Sequence, residues 1–144
     1  MVRSLFVVLL LALSGCTFMY RQSYEAQFSP PLKKQETAVA FEQVKQYFIS
    51  KGAVPIALPT PTPNYFEFPV AKGKTGLLRE PFNDYVAVVR SEDGDRISVS
   101  LTRIISHPIE FTSEQIRQFV AKTEEFIHEA TSRQVKLALE EKRK

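Results

Sequence analysis

Asp84-Tyr85-Val86-Ala87-Val88-Val89-Arg90, then Ser91-Glu92-Asp93-Gly94-Asp95, then Arg96-Ile97-Ser98-Val99-Ser100-Leu101-Thr102-Arg103-Ile104-Ile105 is the stretch on which the fold turns. The first run is rich in β-branched residues and places Val86 and Val88 on one side. The last alternates: Ile97, Val99 and Leu101 point one way, Ser98, Ser100 and Thr102 the other. Between them, Asp93-Gly94 is the dipeptide that tight hairpin turns favour, because its backbone tolerates positive φ. The three pieces together predict an antiparallel hairpin. Period-two alternation of this kind means one face buried and one open to water or to a partner. The hydroxyl row Ser98, Ser100 and Thr102 is therefore the candidate contact surface. Asp93 and Asp95 lack the further ligands of a calcium-binding loop, so they are read as turn residues.

Downstream, Thr112-Ser113-Glu114-Gln115 fits a capping box, with Thr112 as N-cap and Gln115 reaching back. Phe111 and Ile116 fit the accompanying hydrophobic staple. Ile116, Phe119, Val120, Phe126, Ile127 and Ala130 recur at helical spacing. Beyond Thr131-Ser132 the residues Val135, Ala138 and Leu139 continue a stripe in shifted phase. The expectation is one long helix to about Glu141, some 43 Å at ~1.5 Å per residue. Its last part would project, fray or meet a partner. The basic end Lys142-Arg143-Lys144 is read as a solvated tail or a contact for anionic surfaces.

Upstream of the hairpin the signals are weaker. Leu77-Leu78 is a candidate brief strand, and Lys72-Gly73-Lys74-Thr75-Gly76 is a turn. Its Gly-Lys-Thr lacks the earlier glycine of a phosphate-binding loop, since Phe68 stands there. Tyr65-Phe66-Glu67-Phe68-Pro69-Val70 reads as an edge strand with Phe66, Phe68 and Val70 on one face. Pro59-Thr60-Pro61-Thr62-Pro63 is a stiff, extended connector or an exposed ligand for an aromatic groove. Ala53 to Leu58 is a candidate edge strand, restricted by Pro55. Gln35 to Lys51 is a helix with Ala40, Phe41, Val44, Tyr47 and Phe48 as its apolar stripe and Gly52 as its stop.

Residues 1–15 have a different character. Arg3 gives a basic start, Leu5 to Leu13 is an unbroken apolar run, and Ser14-Gly15-Cys16 follows. That is the layout of a secretory signal. The run would span only about 14 Å as a helix, against the roughly 30 Å of a bilayer core. Leu13-Ser14-Gly15-Cys16 resembles the lipobox of bacterial lipoproteins. The resemblance covers only the leader. It implies cleavage between Gly15 and Cys16, a diacylglycerol on Cys16 and acylation of the new amino terminus with a chain such as palmitate. Thr17, where aspartate would typically retain the protein at the inner membrane, then points to the outer membrane facing the periplasm. Residues 16–34 are expected to be a lipidated tether, with Phe18 and Tyr20 either in the headgroup region or packed on the domain. Residues 35–144 are expected to form a single domain.

Composition agrees with this division. The 144-residue chain has 11 phenylalanines, no tryptophan and a formal net charge of +3. So small an excess of positive charge does not suggest nucleic acid. Cys16 is the one cysteine, so no disulfide framework exists, and a lone exported thiol finds its explanation in lipidation.

Catalysis needs converging groups, and few are present. Glu125-Phe126-Ile127-His128 matches one Glu-x-x-His element of di-iron bundles, which need two such elements and further glutamates on four helices. Ser106, His107 and Glu110 are the sole hydrolase grouping, without a nucleophile elbow. No catalytic residue, metal ligand or cofactor is assigned.

The sequence thus predicts an α+β domain. An antiparallel sheet of three to five strands is flanked by an N-terminal and a long C-terminal amphipathic helix. The expected function is that of a membrane-anchored periplasmic lipoprotein, not an enzyme. It would be held by membrane lipid through its acyl anchor, and would act on an envelope protein partner as an accessory or assembly factor. The alternative is a carrier of a lipid or other apolar ligand, held between sheet and helices by the many phenylalanines.

Overall fold

A computed structural model describes residues 17–60 and 62–141. The lipobox, with Gly15 and Cys16, lies outside the described residues, as does the basic end 142–144. The elements in chain order are β1 (Phe18–Ser29), α1 (Lys34–Ser50), β2 (Tyr65–Pro69), β3 (Asp84–Arg90), β4 (Ile97–Ile105), α2 (Ser113–Thr131) and β5 (Gln134–Leu139). The five strands form one antiparallel sheet in the order β2-β3-β4-β1-β5. The α+β class and the antiparallel sheet are as the sequence predicts.

The hairpin β3–β4 pairs Val86 with Leu101 and Val88 with Val99. All four are fully buried, because they stand on the face against which both helices lie. Phe66 and Phe68 on β2 continue that face beside Val88 and Val86. The stripe of α1 (Thr37, Ala40, Phe41, Val44, Phe48) and that of α2 (Phe119, Thr123, Phe126, Ile127) meet it. Phe48 sits among Phe68, Phe126 and Phe66, with ring centroids 5.3, 5.6 and 6.2 Å away. These tilted and edge-on contacts suit the ring quadrupoles.

Both predicted helix ends are present. Gly52, at φ +98°, follows α1. Its N–H donates to the Ile49 carbonyl and the Ala53 N–H donates to that of Phe48, the paired bonds of a Schellman ending. At the start of α2, Gln115 N–H donates to Thr112 Oγ1 (3.1 Å), and Thr112 N–H donates to Gln115 Oε1 (3.0 Å).

Two expectations are corrected. The tether expected within residues 16–34 contains β1, a twelve-residue strand inside the sheet. β1 pairs with β4 from Phe18↔Ile105 to Glu25↔Ser98, and with β5 from Tyr24↔Leu139 to Ser29↔Gln134. Its aromatics are spaced for one sheet face, and Tyr24 and Phe28 are buried with Ala26 between them. The long C-terminal helix ends at Thr131. Ser132 takes the left-handed conformation (φ 57°, ψ 24°) and donates its N–H to the His128 carbonyl, which turns the chain out of the helix. Val135, Leu137 and Leu139 then alternate along β5. The shifted stripe was a change from helical to strand period.

Smaller differences follow the same logic. Ala53 to Leu58 is no strand; it makes one sheet-like bond, Ile56 N–H to the Glu67 carbonyl at 2.7 Å. Leu77 and Leu78 form no strand either, but both are buried as plugs of the core. β2 holds a sheet edge, as predicted for Tyr65–Val70.

Candidate functional site

Because both helices pack on one side, no helix among the described residues lies over the other face of the sheet. Strand alternation sets what it displays. β1 contributes Met19, Arg21, Ser23, Glu25 and Gln27, and β4 contributes Ser98, Ser100, Thr102 and Ile104. Tyr85, Ala87 and Val89 of β3 and Tyr65 and Glu67 of β2 complete one flank. Lys136 and Ala138 of β5 complete the other. The face is polar, rich in hydroxyls and carries both charge signs.

The three predicted contact residues do sit on this face, but in different states. Ser100 is at its centre, opposite Ser23 on one side and Ala87 on the other, and is half-buried. Ser98 donates its hydroxyl to the Glu140 carboxylate. Thr102 is only 7% exposed. The Arg21 guanidinium lies across it and donates from Nε to Thr102 Oγ1 at 3.1 Å. Ser98 and Ser100 are therefore accessible members of the row, and Thr102 is a support for Arg21.

Sequence reading missed the charged residues that frame the row. Arg21 and Glu25 lie in the segment read as a tether, and Glu140 in the segment read as helix. The signal that could have found the first two is the spacing of Phe18, Tyr20, Tyr24 and Phe28. It puts Arg21, Ser23 and Glu25 together on the opposite side of a strand. Arg96 Nη1 stands 4.0 Å from Glu25 Oε2, and its Nε 3.5 Å from Asp95 Oδ1. The Asp95 carboxyl is held below the ordinary range, first by the Ser91 hydroxyl that donates to it and also by Arg96. Glu25, Arg96, Ser98 and Glu140 line a shallow hollow of about 520 Å³ between the β3–β4 turn and the end of β5.

At the β2 flank, Tyr65 donates its phenol proton to Glu67 Oε2 at 2.6 Å. Burial, then the hydrogen bond and charge of Glu67, push the Tyr65 phenol up to about 12, against a smaller opposing pull from Arg21. Tyr65 is thus a neutral donor at any physiological pH.

The groups considered for chemistry are engaged elsewhere or isolated. Ser106 Oγ is 3.0 Å from His107 Nδ1, but both are exposed neighbours on one loop. Glu110 directs its main-chain carbonyl to Arg103. Glu125 pairs with Lys122 at 3.0 Å, and His128 Nδ1 donates to the Arg133 carbonyl at 2.8 Å. Among the described residues no cluster of three or more histidine, cysteine, aspartate or glutamate side chains could hold a metal ion. No helix among them is long and apolar enough to cross a membrane.

What the open face can do is bind. It offers hydroxyl and carboxylate acceptors, hydroxyl donors and a guanidinium on a rigid sheet. Comparison with protein-family models, with characterised proteins and with solved structures returns no match for this chain.

Proposed function

We propose that the chain is a lipoprotein of the bacterial cell envelope, anchored at the outer membrane by acyl groups on Cys16. It acts without catalysis, as an accessory or assembly factor that binds another envelope protein. The lipobox residues Leu13-Ser14-Gly15-Cys16 support the anchor. The single observation that carries the contact reading is the one-sided placement of α1 and α2, which leaves the Ser23/Ser98/Ser100 face of a five-stranded sheet uncovered by any helix among the described residues. A half-buried polar sheet face suits a reversible protein contact better than a permanent apolar one.

The alternative, a carrier of a lipid or other apolar ligand, needs room between sheet and helices. The phenylalanines expected to line that room instead touch one another around Phe48, which favours the contact reading.

The test is crosslinking in the intact envelope from a photoreactive residue placed at Ser100, with the same residue at Val39 on the solvent side of α1 as control. One defined envelope protein captured from Ser100 and not from Val39 is the expected result. Equal capture from both positions, or none from Ser100, would overturn the contact reading. A hydrophobic ligand retained in native mass spectrometry would favour the carrier. Radiolabelled palmitate in the protein, lost on Cys16→Ala, is the expected outcome for the anchor.

A further inference from the structure

The start of β1 so close to Cys16 limits how the domain can sit. Only Thr17 separates Cys16 from Phe18, the first residue of the sheet. Two residues span at most about 7 Å even when fully extended. Interfacial segments of proteins settle roughly 5–10 Å into the headgroup and acyl boundary. With acyl chains on Cys16, the sheet end at Phe18 cannot stand clear of that layer.

The same end carries exposed apolar side chains. Phe18 pairs with Ile105 and Met19 with Ile104, and the Ile104 N–H donates to the Asn83 carbonyl at 3.0 Å. The loop before β3 and the loop after β4 therefore both leave the sheet where β1 enters it. Phe82 is on the first and Ile109 on the second. Met19, Phe82 and Ile109 are 61%, 52% and 42% exposed. Lys74 and Arg79, both exposed, lie on the adjoining connection from β2 to β3, where Lys72 pairs with Glu80 at 3.2 Å. Apolar tips with cations close by are the composition of a surface that lies on a lipid headgroup layer.

Both loops are held rigid by one buried group. Arg103 is 1% exposed. It donates to Asp84 from Nε and Nη2 and to the Glu110 carbonyl from Nη1 at 3.1 Å. Asp84 Oδ2 in turn accepts the Phe82 N–H at 3.0 Å. The rings of Phe82 and Phe111 cover the guanidinium, 4.7 and 4.3 Å from Cζ. The tips of the two loops are thus set in place before any contact is made. Exposed apolar residues occur elsewhere too: Val54 and Ile56 lie on the segment along the β2 edge, and Val39 lies on α1.

We propose that this end of the domain is a membrane-contacting surface, with Met19, Phe82 and Ile109 seated in the headgroup region of the bilayer that holds the acyl chains. The proposal rests on the lipoprotein reading and adds an orientation to it. The strands stand on the membrane by one end, and the β3–β4 turn is directed away from it.

The absence of tryptophan makes the test direct. The full chain is produced in bacteria with Phe82→Trp, Ile109→Trp or, as a distal control in the β3–β4 turn, Glu92→Trp. Each acylated protein is placed in phosphatidylethanolamine–phosphatidylglycerol vesicles with brominated acyl chains. Phe82→Trp and Ile109→Trp are expected to be quenched several-fold more than Glu92→Trp, with blue-shifted emission. Ile109→Trp is a surface change, so the test survives if Phe82→Trp disturbs the Arg103 packing. Equal quenching at Ile109 and Glu92 in protein that carries palmitate would overturn the proposal alone. Absence of palmitate would overturn the anchor reading, and the proposal with it.

Discussion

Arg103 and Asp84 face each other across β4 and β3 as a two-pronged ion pair. Nε is 2.8 Å from Oδ1 and Nη2 is 3.0 Å from Oδ2, with neither side chain open to solvent. Such a pair gains little over an apolar pair of the same shape, but removing one partner strands a buried charge at a cost of about 3–5 kcal/mol. Asp84→Ala is therefore expected to lower stability by about that amount in urea unfolding. The double variant Arg103→Met with Asp84→Leu should recover most of the loss. A single variant as stable as the parent would mean that the charge finds water or another partner.

How legible this chain was depends on how local each signal is. The β3–β4 hairpin, the stripe and glycine stop of α1, and the capping box of α2 could be read because each is complete within a short window. β1 could not. Gln22 interrupts its alternation, Pro30 and Pro31 follow it closely, and its partner strand β4 lies some eighty positions on. β5 failed differently: six residues directly after a helix fit a shifted helical stripe nearly as well as an alternation. Losing β1 also lost Arg21 and Glu25, so the hydroxyl row was visible but its charged frame was not. The Arg103–Asp84 pair was not legible at all, since nothing in either residue's neighbourhood marks it as buried.

Gly52 should tolerate no side chain without strain. Its φ of +98° lies where L-residues rarely go, although space is available, the nearest atom to an added Cβ being Lys74 Cδ at 3.7 Å. The cost of Gly52→Ala is thus conformational, about 1–2 kcal/mol, visible as a lower thermal midpoint. A gain instead would mean that the α1 ending rearranges, and the Ala53–Phe48 bond should then be missing in amide exchange.

Two threonines of the α2 region should respond in opposite directions. Thr112→Ala removes the acceptor for the Gln115 N–H and is expected to cost about 1 kcal/mol. Thr123 is fully buried, and its Oγ1 has no hydrogen-bond partner among the described residues. Thr123→Val keeps the shape and removes the stranded hydroxyl, so stability should rise by about 1 kcal/mol. If both variants lose stability equally, the Thr123 hydroxyl is satisfied by a bound water.

Tyr65 gives the open face a signature at high pH. Its phenol is raised to about 12 from the ordinary 10.0, by burial first and then by Glu67. A raised value means that the fold favours the protonated phenol. The stabilisation is complete below the unfolded value of 10.0 and is lost as pH climbs through the folded value of about 12. Burial raises the Tyr24 phenol as well, so absorbance titration should show two phenols ionising above the ordinary value, and Tyr65→Phe should remove one of them. Glu67→Gln keeps a hydrogen-bond acceptor but removes the charge, so it should bring the Tyr65 step down without abolishing it, because burial, the larger cause, remains. A late ionisation that Tyr65→Phe leaves unchanged in amplitude would mean that the Tyr65–Glu67 contact is too loose to set the charge pattern that a partner meets on this face.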